Sequence, residues 1–598
     1  MEISLFCLAL PLFGALFLAL PWKFSEKVVS YFTLTTLVTS LFGGFFLFVM
    51  LGQQGFSPFE IALSHITISH HSFPLLFWVD IYGLSYLLLS VILGLVVIKF
   101  SHSYLHLEVG YQRYFSVILF FIFGLSLLSI AGHLDLFFAG WEIVGMSSFL
   151  LISFYRSHIR SVNNAWRIYS IYRICDIGLL SGAVLGHVMW KEATTFSVLN
   201  EISVHQVQEF HSVLFLIFSI LIVLASFGKS AQFPFYNWPA KAMEGPTPSS
   251  AIFYGALSIH AGLLLLIRTE VIWKSSLWAN GLVIGAGVIT FVLSFLQKKV
   301  QTNIKGRIAY AITSHLGVMY VLMGLGLVQV VFVYMLIHAI YRCFEMLISP
   351  SIVASSDFSN NRKVIAKIEQ RKTFTQNLSE KWRSTIYLFT SLDFGMDISG
   401  RGMNIFHWKK MITILKILVG GKFTGFVLCA LIVLLGLFNI SGSIYYLSVL
   451  SLLLILRSTF YHRSAFSMSL DILISLAGNL LSFSRVHAHS LEIITDYLLP
   501  TLPALIVVLS VSYVFRHKDL RYYHGEGTKH SWLANGFFLS FLVLSGMPVS
   551  SAFVSEDVLL ETLVEHQPIL AVLTLVVMML IGIVLSKIYT RIFMGRPS

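Results

Sequence analysis

The sequence predicts an all-α, multi-pass membrane protein of about seventeen transmembrane helices. Of its 598 residues, 57% are hydrophobic and only 11% are charged, and the mean hydropathy is +0.82. A water-soluble domain cannot bury so much apolar surface, so the solvent for most of this chain must be a lipid bilayer. Apolar runs of roughly 20 residues, which is the length that crosses a bilayer as a helix, recur along almost the whole sequence.

Eleven of these runs precede the first long polar stretch. They lie near residues 3–21, 27–52, 75–98, 114–131, 134–155, 163–187, 211–228, 248–268, 278–297, 306–325 and 327–349. Six more follow it, near 422–438, 444–460, 464–483, 495–515, 532–550 and 569–590. The first run lacks a basic stretch before it, so it is expected to be a span rather than a cleaved signal peptide.

Clusters of lysine and arginine predict the orientation, because cytoplasmic loops carry an excess of these residues. The clusters that begin at Lys23, Arg156, Lys298, Arg516 and Arg591 each follow an odd-numbered helix. The N-terminus is therefore predicted outside and the C-terminus in the cytoplasm. The net charge of +12 is assigned to these loops, and nucleic-acid binding is not expected.

The polar stretch 352–416 is basic, with aromatic residues between its lysines and arginines. It is expected to be a cytoplasmic segment that either lies on anionic lipid or docks a soluble partner. The four cysteines are far apart and form no CxxC pair. Neither metal binding nor redox chemistry is therefore expected in this chain.

Charged residues within the predicted spans are the main functional signal, because inserting one costs about 2.5–3.5 kcal/mol. Glu142 lies about eight residues into an apolar helix, where the alternative is a structural glutamate bonded to neighbouring hydroxyls. Lys229 precedes a stretch containing four prolines, which must interrupt the helix. A broken helix at membrane depth is tolerated where it lines a polar cavity, although Lys229 alone could also extend to the headgroups.

Further ionisable residues lie in neighbouring helices. Arg173 and Asp176 share a helix face, where they could pair with each other or reach Glu142 or Lys229. The eighth, tenth and eleventh helices add His260, His315, His338 and Arg342. Carboxylates, an ammonium group and imidazoles change their proton affinity with the charge of a neighbour, so this set predicts a proton relay.

Three stretches resemble a known family of membrane transporters. They are KSAQFPFYNWPAKAMEGPTPSSAIFYGALSIHAG (229–262), QTNIKGRIAYAITSHLGVMY (301–320) and HAIYRCFEMLI (338–348). They are similar to the proton-conducting subunits of complex I and the Mrp antiporters, in particular to the subunit L/5 branch. The resemblance covers about 75–350 and resumes at 532–595. It implies two inverted five-helix repeats, each with a broken helix, joined by a polar axis.

The resemblance also implies roles for particular residues. Glu142 matches the fifth-helix glutamate, Arg173 and Asp176 the sixth-helix pair, Lys229 the broken-helix lysine, and His338 the central histidine. The implied proton path comprises Glu142, Arg173, Asp176, Lys229, His260, Lys305, His315, His338, Arg342 and Glu556.

Several positions depart from the family pattern. Tyr254 replaces a histidine, and His260 stands where Mrp antiporters keep a lysine. Asn303 replaces an aspartate beside Lys305. Tyr334 replaces a histidine, Arg342 replaces a lysine, and Glu556 replaces a lysine of subunit L. Arginine is hard to deprotonate, so Arg342 is expected to set the local field rather than relay protons. Glu556 resembles the exit residue of subunit M.

The resemblance divides the chain into six segments. They are 1–112 with three helices, 113–270 with the first repeat, 271–350 with the start of the second, the basic segment 351–417, an inserted four-helix segment 418–516, and 517–598 with the end of the second repeat. A chain without the family's lateral helix after the last span is not expected to be an ordinary distal subunit of complex I.

Together with YRCFEMLISPS (341–351), these features are most similar to the membrane subunit of Dab-type inorganic-carbon accumulation systems. That resemblance implies a bacterial inner membrane, no cofactor or catalytic site in this chain, and a large soluble zinc partner similar to a β-carbonic anhydrase. The alternatives are a respiratory subunit that pumps protons for quinone reduction and a subunit of an Mrp-type Na⁺/H⁺ antiporter.

Overall fold

The computed structural model describes most of the membrane domain. The described residues are 2–20, 22–68, 71–190, 195–201, 212–349, 422–437, 443–460, 464–486, 490–548 and 550–596, with a few positions between 384 and 390. Eleven described helices are long and apolar enough to cross a membrane, and four shorter ones are also apolar. The chain is thus a multi-pass membrane protein, and each predicted span contains a helix. The basic segment 352–416 lies almost wholly outside the described residues.

The N-terminal part forms a helical layer with one β-hairpin. Its elements are α1 (Glu2–Ala19), α2 (Glu26–Gln53), β1 (Phe59–Ile68), β2 (His71–Val79), α3 (Ile81–Tyr104) and α4 (Tyr111–Ile130). Helix α1 packs between α2 and α4, and α2 also packs on α3.

The predicted start of the third span at residue 75 is wrong, because residues 71–79 form strand β2. This strand pairs antiparallel with β1, and Phe59 lies opposite Val79. The aromatic and β-branched residues of 77–79 favour an extended strand. Asp80 then caps α3 by accepting a 2.8 Å hydrogen bond from the Gly83 N–H, so the helix begins only at Ile81. The all-α prediction therefore needs this hairpin added.

Three long helices form the centre of the bundle. They are α5 (Leu134–Ile152), α6 (Ile159–Trp190) and α8 (Ser212–Lys229), and the short α7 (Phe196–Glu201) lies between the last two. Helix α6 packs against both α5 and α8. This arrangement brings the intramembrane charges of α5 and α6 to the end of α8.

The helix predicted to be broken after Lys229 is broken. The chain continues through α9 (Trp238–Lys241), a 3₁₀ turn (Ala242–Glu244), α10 (Thr247–Ser250), a π turn (Ala251–Ala256), a 3₁₀ turn (Ser258–His260) and α11 (Ala261–Arg268). Proline lacks an N–H donor and is tolerated in the first helical turn. Pro239 and Pro248 accordingly start α9 and α10, and the segment cannot become one continuous helix.

The remaining elements complete the bundle. They are α12 (Glu270–Lys274), α13 (Leu277–Val300), α14 (Ile304–Gly324), α15 (Val328–Leu347), α16 (Lys422–Leu437), α17 (Ser443–Phe460), α18 (Ala465–Phe483), α19 (Ser490–Val514), α20 (Ser531–Leu544), α21 (Ser551–His566) and α22 (Pro568–Phe593). Two of the inserted helices, α17 and α18, pack on α22, and Lys587 Nζ of α22 donates a 2.7 Å hydrogen bond to the carbonyl of Thr459.

The predicted span 532–550 is too long, and the helix after it was missed. Helix α20 ends at Leu544, and α21 follows after a short break. The serines and acidic residues of 550–561 interrupt the apolar run from which spans were predicted. These residues are nevertheless helical and mostly buried, because they face other helices rather than lipid.

Contacts between helix ends agree with spans that alternate in direction. Arg268, at the end of the eighth span, lies 2.9 Å from Asp80 at the start of the third. At the opposite face, Thr247 starts the eighth span and bonds Lys305 at 2.7 Å and Tyr104 at 3.0 Å. Each contact joins ends that alternation assigns to one face, although the absolute orientation stays a prediction.

Candidate functional site

A buried ion pair joins α5 and α6. Nη1 of Arg173 lies 2.7 Å from Oε1 of Glu142, and both side chains are 2% exposed. Arg173 therefore pairs with Glu142 rather than with Asp176, three residues along its own helix. Removing either partner would leave an uncompensated charge in the low-dielectric interior.

Lys229 lies at the start of the broken segment, on the other side of Trp141. Its Nζ donates a 2.8 Å hydrogen bond to the Trp141 carbonyl and lies 4.6 Å from the ring centre of Tyr172. The Trp141 indole donates a 2.5 Å hydrogen bond to Oδ1 of Asp176. Lys229 is 1% exposed and Asp176 is 2% exposed. Trp141 thus connects a buried ammonium group to a buried carboxylate.

The last helices close over Arg173. Its Nη2 donates a 2.5 Å hydrogen bond to the Ser545 carbonyl, in the break between α20 and α21. Glu556 of α21 is 6% exposed and lies within electrostatic range of Arg173 and Glu142. Gly546, with a φ of +66°, leaves room for the Glu556 carboxylate, which a Cβ would overlap. Glu556 therefore lies close to the Glu142–Arg173 pair.

Three histidines, from the 3₁₀ turn Ser258–His260, from α14 and from α15, lie close together. Nε2 of His260 lies 3.1 Å from Nδ1 of His338, and Nε of Arg342 donates to Nε2 of His338 at 3.4 Å. The ring centres of His315 and His338 are 5.4 Å apart, and Nδ1 of His315 is hydrogen-bonded to the hydroxyl of Tyr334. The structure thus brings together the four residues that the sequence assigned to one relay.

The hydrogen bonds of this group fix the positions of its protons. Nδ1 of His260 lies 2.5 Å from the Ala256 carbonyl, which only accepts, so this nitrogen carries the proton. Nε2 of His260 then accepts from Nδ1 of His338, whose own Nε2 accepts from Arg342. The chain runs in one direction from Arg342 to Ala256, and both imidazoles are neutral in this arrangement.

Buried hydroxyl groups lie between Lys229 and His260. Tyr172 lies close to Tyr254 and Ser258, and all three hydroxyls are buried without a hydrogen-bond partner among the described residues. Trp238 packs between the two tyrosine rings, with centroid distances of 5.3 and 5.2 Å. Hydroxyls both donate and accept, so this group can continue a relay between the lysine and the histidines.

Lys305 is separate from the histidines. Its Nζ is bonded to Thr247 at the start of α10, and His315 lies ten residues further along α14, which is about 15 Å of helix. The structure therefore places Lys305 at the membrane face where the eighth and tenth spans begin. Its role in the proton path stays a prediction.

The sequence analysis missed a further cluster of ionisable residues at the opposite face. Asp135 starts α5, and its Oδ2 lies 2.9 Å from Nε2 of His187 and 3.1 Å from Nδ1 of His133. Asp557 lies close to Asp135 and His187. Asp135 and His187 lie near helix ends, which normally meet solvent, so burial at these two positions was not expected from the sequence. The available signal was Asp557 itself, which directly follows Glu556.

The buried ionisable and hydroxyl-bearing residues described above form a row, and its two ends are partly exposed. At one end, Arg342 pairs with Glu345, whose side chain is 32% exposed. At the other, the side chain of His187 is 13% exposed. Glu345 and His187 lie at the C-terminal ends of the eleventh and sixth spans, which run in opposite directions when spans alternate. The two exposed ends therefore belong to opposite faces.

Comparisons with known proteins find similar membrane subunits. Residues 131–374 match the family described as "NADH:quinone oxidoreductase/Mrp antiporter, TM". The chain is 28% identical over 381 residues to NADH-quinone oxidoreductase subunit L of Buchnera aphidicola, which covers 62% of this chain and 60% of that protein. It is 33% identical over 296 residues to NADH-ubiquinone oxidoreductase chain 5 of Paracentrotus lividus, which covers 49% and 44%.

Among solved structures, the Mrp complex from Dietzia sp. DQ12-45-1b is similar at 25% identity and a TM-score of 0.47, over 57% of this chain and 37% of that one. The chain spans less than two thirds of the length of these relatives. The fold and site define a multi-pass membrane protein with a row of buried ionisable groups beside a broken helix. Over residues 131–374 the chain is similar to membrane subunits of the kind found in NADH:quinone oxidoreductases and Mrp antiporters.

Proposed function

We propose that this chain translocates protons across its membrane as an antiporter-like subunit of a larger complex. The observation that carries the proposal is Lys229, a buried lysine at the break of a helix that is connected through Trp141 to Asp176. Buried ionisable groups in a membrane are costly and occur mostly along ion paths.

The proposed path begins at Glu345, where the paired Arg342 sets the local field, and continues through His338 and His260. It crosses the hydroxyl group of Tyr172, Tyr254 and Ser258 to reach Lys229, and then passes Asp176, Glu142 and Glu556. The Asp135–His187–Asp557 cluster forms its other end. Glu556 remains an exit residue in this scheme, next to Asp557 on α21.

The test is proton flux into liposomes that contain the purified chain with any co-purifying subunits. A potassium diffusion potential drives the flux, and a trapped pH dye reports it. Glu142→Gln removes the buried carboxylate, and it is expected to lower the flux at least tenfold. The matched control is Glu108→Gln at an exposed loop position. Unchanged flux in Glu142→Gln would refute the proposal.

Two kinds of partner are compatible with this activity. The names of the relatives, which are NADH-quinone oxidoreductase subunits and an Mrp complex, favour a respiratory or Mrp-type assembly. The second candidate is energised uptake of inorganic carbon with a soluble zinc protein similar to carbonic anhydrase. It is supported by the sequence resemblance and by helices α16–α19, which are inserted in the sequence between the family's segments; α17, α18 and α19 pack on α20–α22.

Purification in mild detergent followed by mass spectrometry separates these partners. Stoichiometric recovery of quinone-reductase or small antiporter subunits would support the first assembly and exclude the second. Recovery of a large soluble protein with cysteine, histidine and aspartate zinc ligands would do the reverse, and bicarbonate uptake would then be the next assay.

A further inference from the structure

We propose that Asp135, His187 and Asp557 form a binding site for one divalent transition-metal cation, and that Zn²⁺ is the ion they fit best. The three side chains come from α5, α6 and α21. Each offers one ligand atom, and these atoms all lie within 4.8 Å of one another. A single cation placed among them could contact all three helices at once.

The ligand set determines the class of cation. Two carboxylates and one imidazole are ligands of the kind found in zinc sites, where three protein groups leave a fourth position open. Mg²⁺ and Ca²⁺ prefer six or more oxygen ligands, which these three residues do not supply. An imidazole ligand suits Zn²⁺, whereas Mg²⁺, Ca²⁺ and Mn²⁺ suit carboxylate, carbonyl and water ligands.

A second observation is independent of the ligand spacing. The Oδ1 atoms of Asp135 and Asp557 are buried without a hydrogen-bond partner among the described residues, and the two residues are only 2% and 8% exposed. Two buried carboxylates with unsatisfied oxygens repel each other unless a cation or proton lies between them. A bound metal ion would satisfy both oxygens.

The surroundings of the cluster are consistent with metal binding. His133 is fully buried and its Nδ1 lies 3.1 Å from Oδ2 of Asp135; in the tautomer with a proton on Nδ1 it donates to this carboxylate and orients it, as outer partners of metal ligands do. His187 is the most exposed of the three ligands, at 13%, and it gives access from one membrane face. Binding would displace the proton that Nε2 of His187 shares with Asp135.

The experiment measures metal binding to the purified chain with its co-purifying subunits, carrying a tag without histidine and stripped with a chelator. Calorimetry with Zn²⁺ is expected to show one tight site per chain, and Co²⁺ is expected to give the visible absorption of a low-coordinate site. Asp557→Asn and His187→Gln should each weaken Zn²⁺ binding about tenfold or more. Size-exclusion profiles verify that both variants remain folded.

The matched control is His106→Gln. His106 also contacts a carboxylate, with Nδ1 2.7 Å from Oε2 of Glu26, but its side chain is 64% exposed. This variant should keep the wild-type site. The proposal would be overturned if the wild type does not bind Zn²⁺ tightly. It would also be overturned if folded Asp557→Asn and His187→Gln bind Zn²⁺ as tightly as the wild type does.

A regulatory consequence rests on the proposed function. If the cluster ends the proton path, saturating Zn²⁺ should block the proton flux of the wild type. The flux of Asp557→Asn with Zn²⁺ should equal the flux of the same variant without metal. Zn²⁺ binding without a block would refute this consequence and keep the site. A wild type without any flux would refute the proposed function, while calorimetry would still decide the metal site.

Discussion

Nε2 of His260 and Nδ1 of His338 share a 3.1 Å hydrogen bond, although the two residues are 78 positions apart in the sequence. The bond belongs to a chain that begins at Arg342 and ends at the Ala256 carbonyl. A proton that moves along it must change the donor and acceptor roles of both imidazoles. The pair is therefore a step at which the path can be interrupted by one substitution.

His338→Gln is expected to lower proton flux about tenfold or more, because glutamine cannot accept a proton from one neighbour and release it to the next. His315→Gln is the matched comparison, because His315 is hydrogen-bonded to Tyr334 and is not part of the series of hydrogen bonds from Arg342 to the Ala256 carbonyl. It should have a much smaller effect. Equal effects of the two variants would contradict the assigned order of the histidines.

The Glu142–Arg173 pair predicts a non-additive effect on stability. Glu142→Gln leaves the Arg173 charge uncompensated and should lower the free energy of unfolding by about 3 kcal/mol. Arg173→Gln should have a similar effect. The double variant should lose much less free energy of unfolding than the sum of the losses of the two single variants. Thermal unfolding in detergent measures all three variants. Additive losses would show that the two side chains do not stabilise each other.

Gly546 predicts a backbone effect that reaches the site. Its φ of +66° disfavours any other residue by about 1–2 kcal/mol, and a Cβ would overlap the Glu556 carboxylate. Gly546→Ala should therefore reduce both thermal stability and proton flux. The control is Gly281→Ala on α13, where a Cβ meets nothing within 4 Å. Wild-type behaviour of Gly546→Ala would contradict the position of Glu556.

The loop between α19 and α20 predicts a pH effect on stability. A hydrogen bond from Lys518, with Nζ 2.7 Å from Oε1 of Glu526, holds the pKa of Glu526 below its usual value. The unfolded glutamate takes up a proton near pH 4.3, roughly. The stabilisation of the folded state by the Lys518–Glu526 contact is therefore complete above the pKa of Glu526 in the unfolded chain. It is lost as the pH falls through the lower pKa of Glu526 in the folded chain.

Thermal unfolding between pH 6 and pH 3.5, roughly the range that spans these two pKa values, tests this prediction. The wild type should lose its advantage over Glu526→Gln as the pH falls. In a Lys518→Met background, the same comparison should show a smaller pH dependence. A difference between wild type and Glu526→Gln that stays constant with pH would refute the role of the Lys518 contact.

The sequence predicted the helices well because lipid imposes long apolar runs. It failed where burial depends on protein neighbours: α21 is polar in sequence yet packs between helices, and β2 is apolar yet extended. The central residues of the proposed path, from Glu142 to His338, were predicted individually, whereas their partners and the Asp135–His187–Asp557 cluster were not. Arg173 could reach Asp176 or Glu142 by spacing alone, and only the packing of α5 on α6 selects Glu142.

The most direct test of proton translocation compares Lys229→Met with Lys229→Arg in the voltage-driven liposome assay, with Lys274→Met at an exposed position as the control. Arginine keeps the positive charge but does not release its proton. The account predicts that both Lys229 variants lose the flux while remaining folded, and that the control keeps it. Full flux in Lys229→Arg would show that only the charge of Lys229 matters, and would contradict its role as a proton carrier.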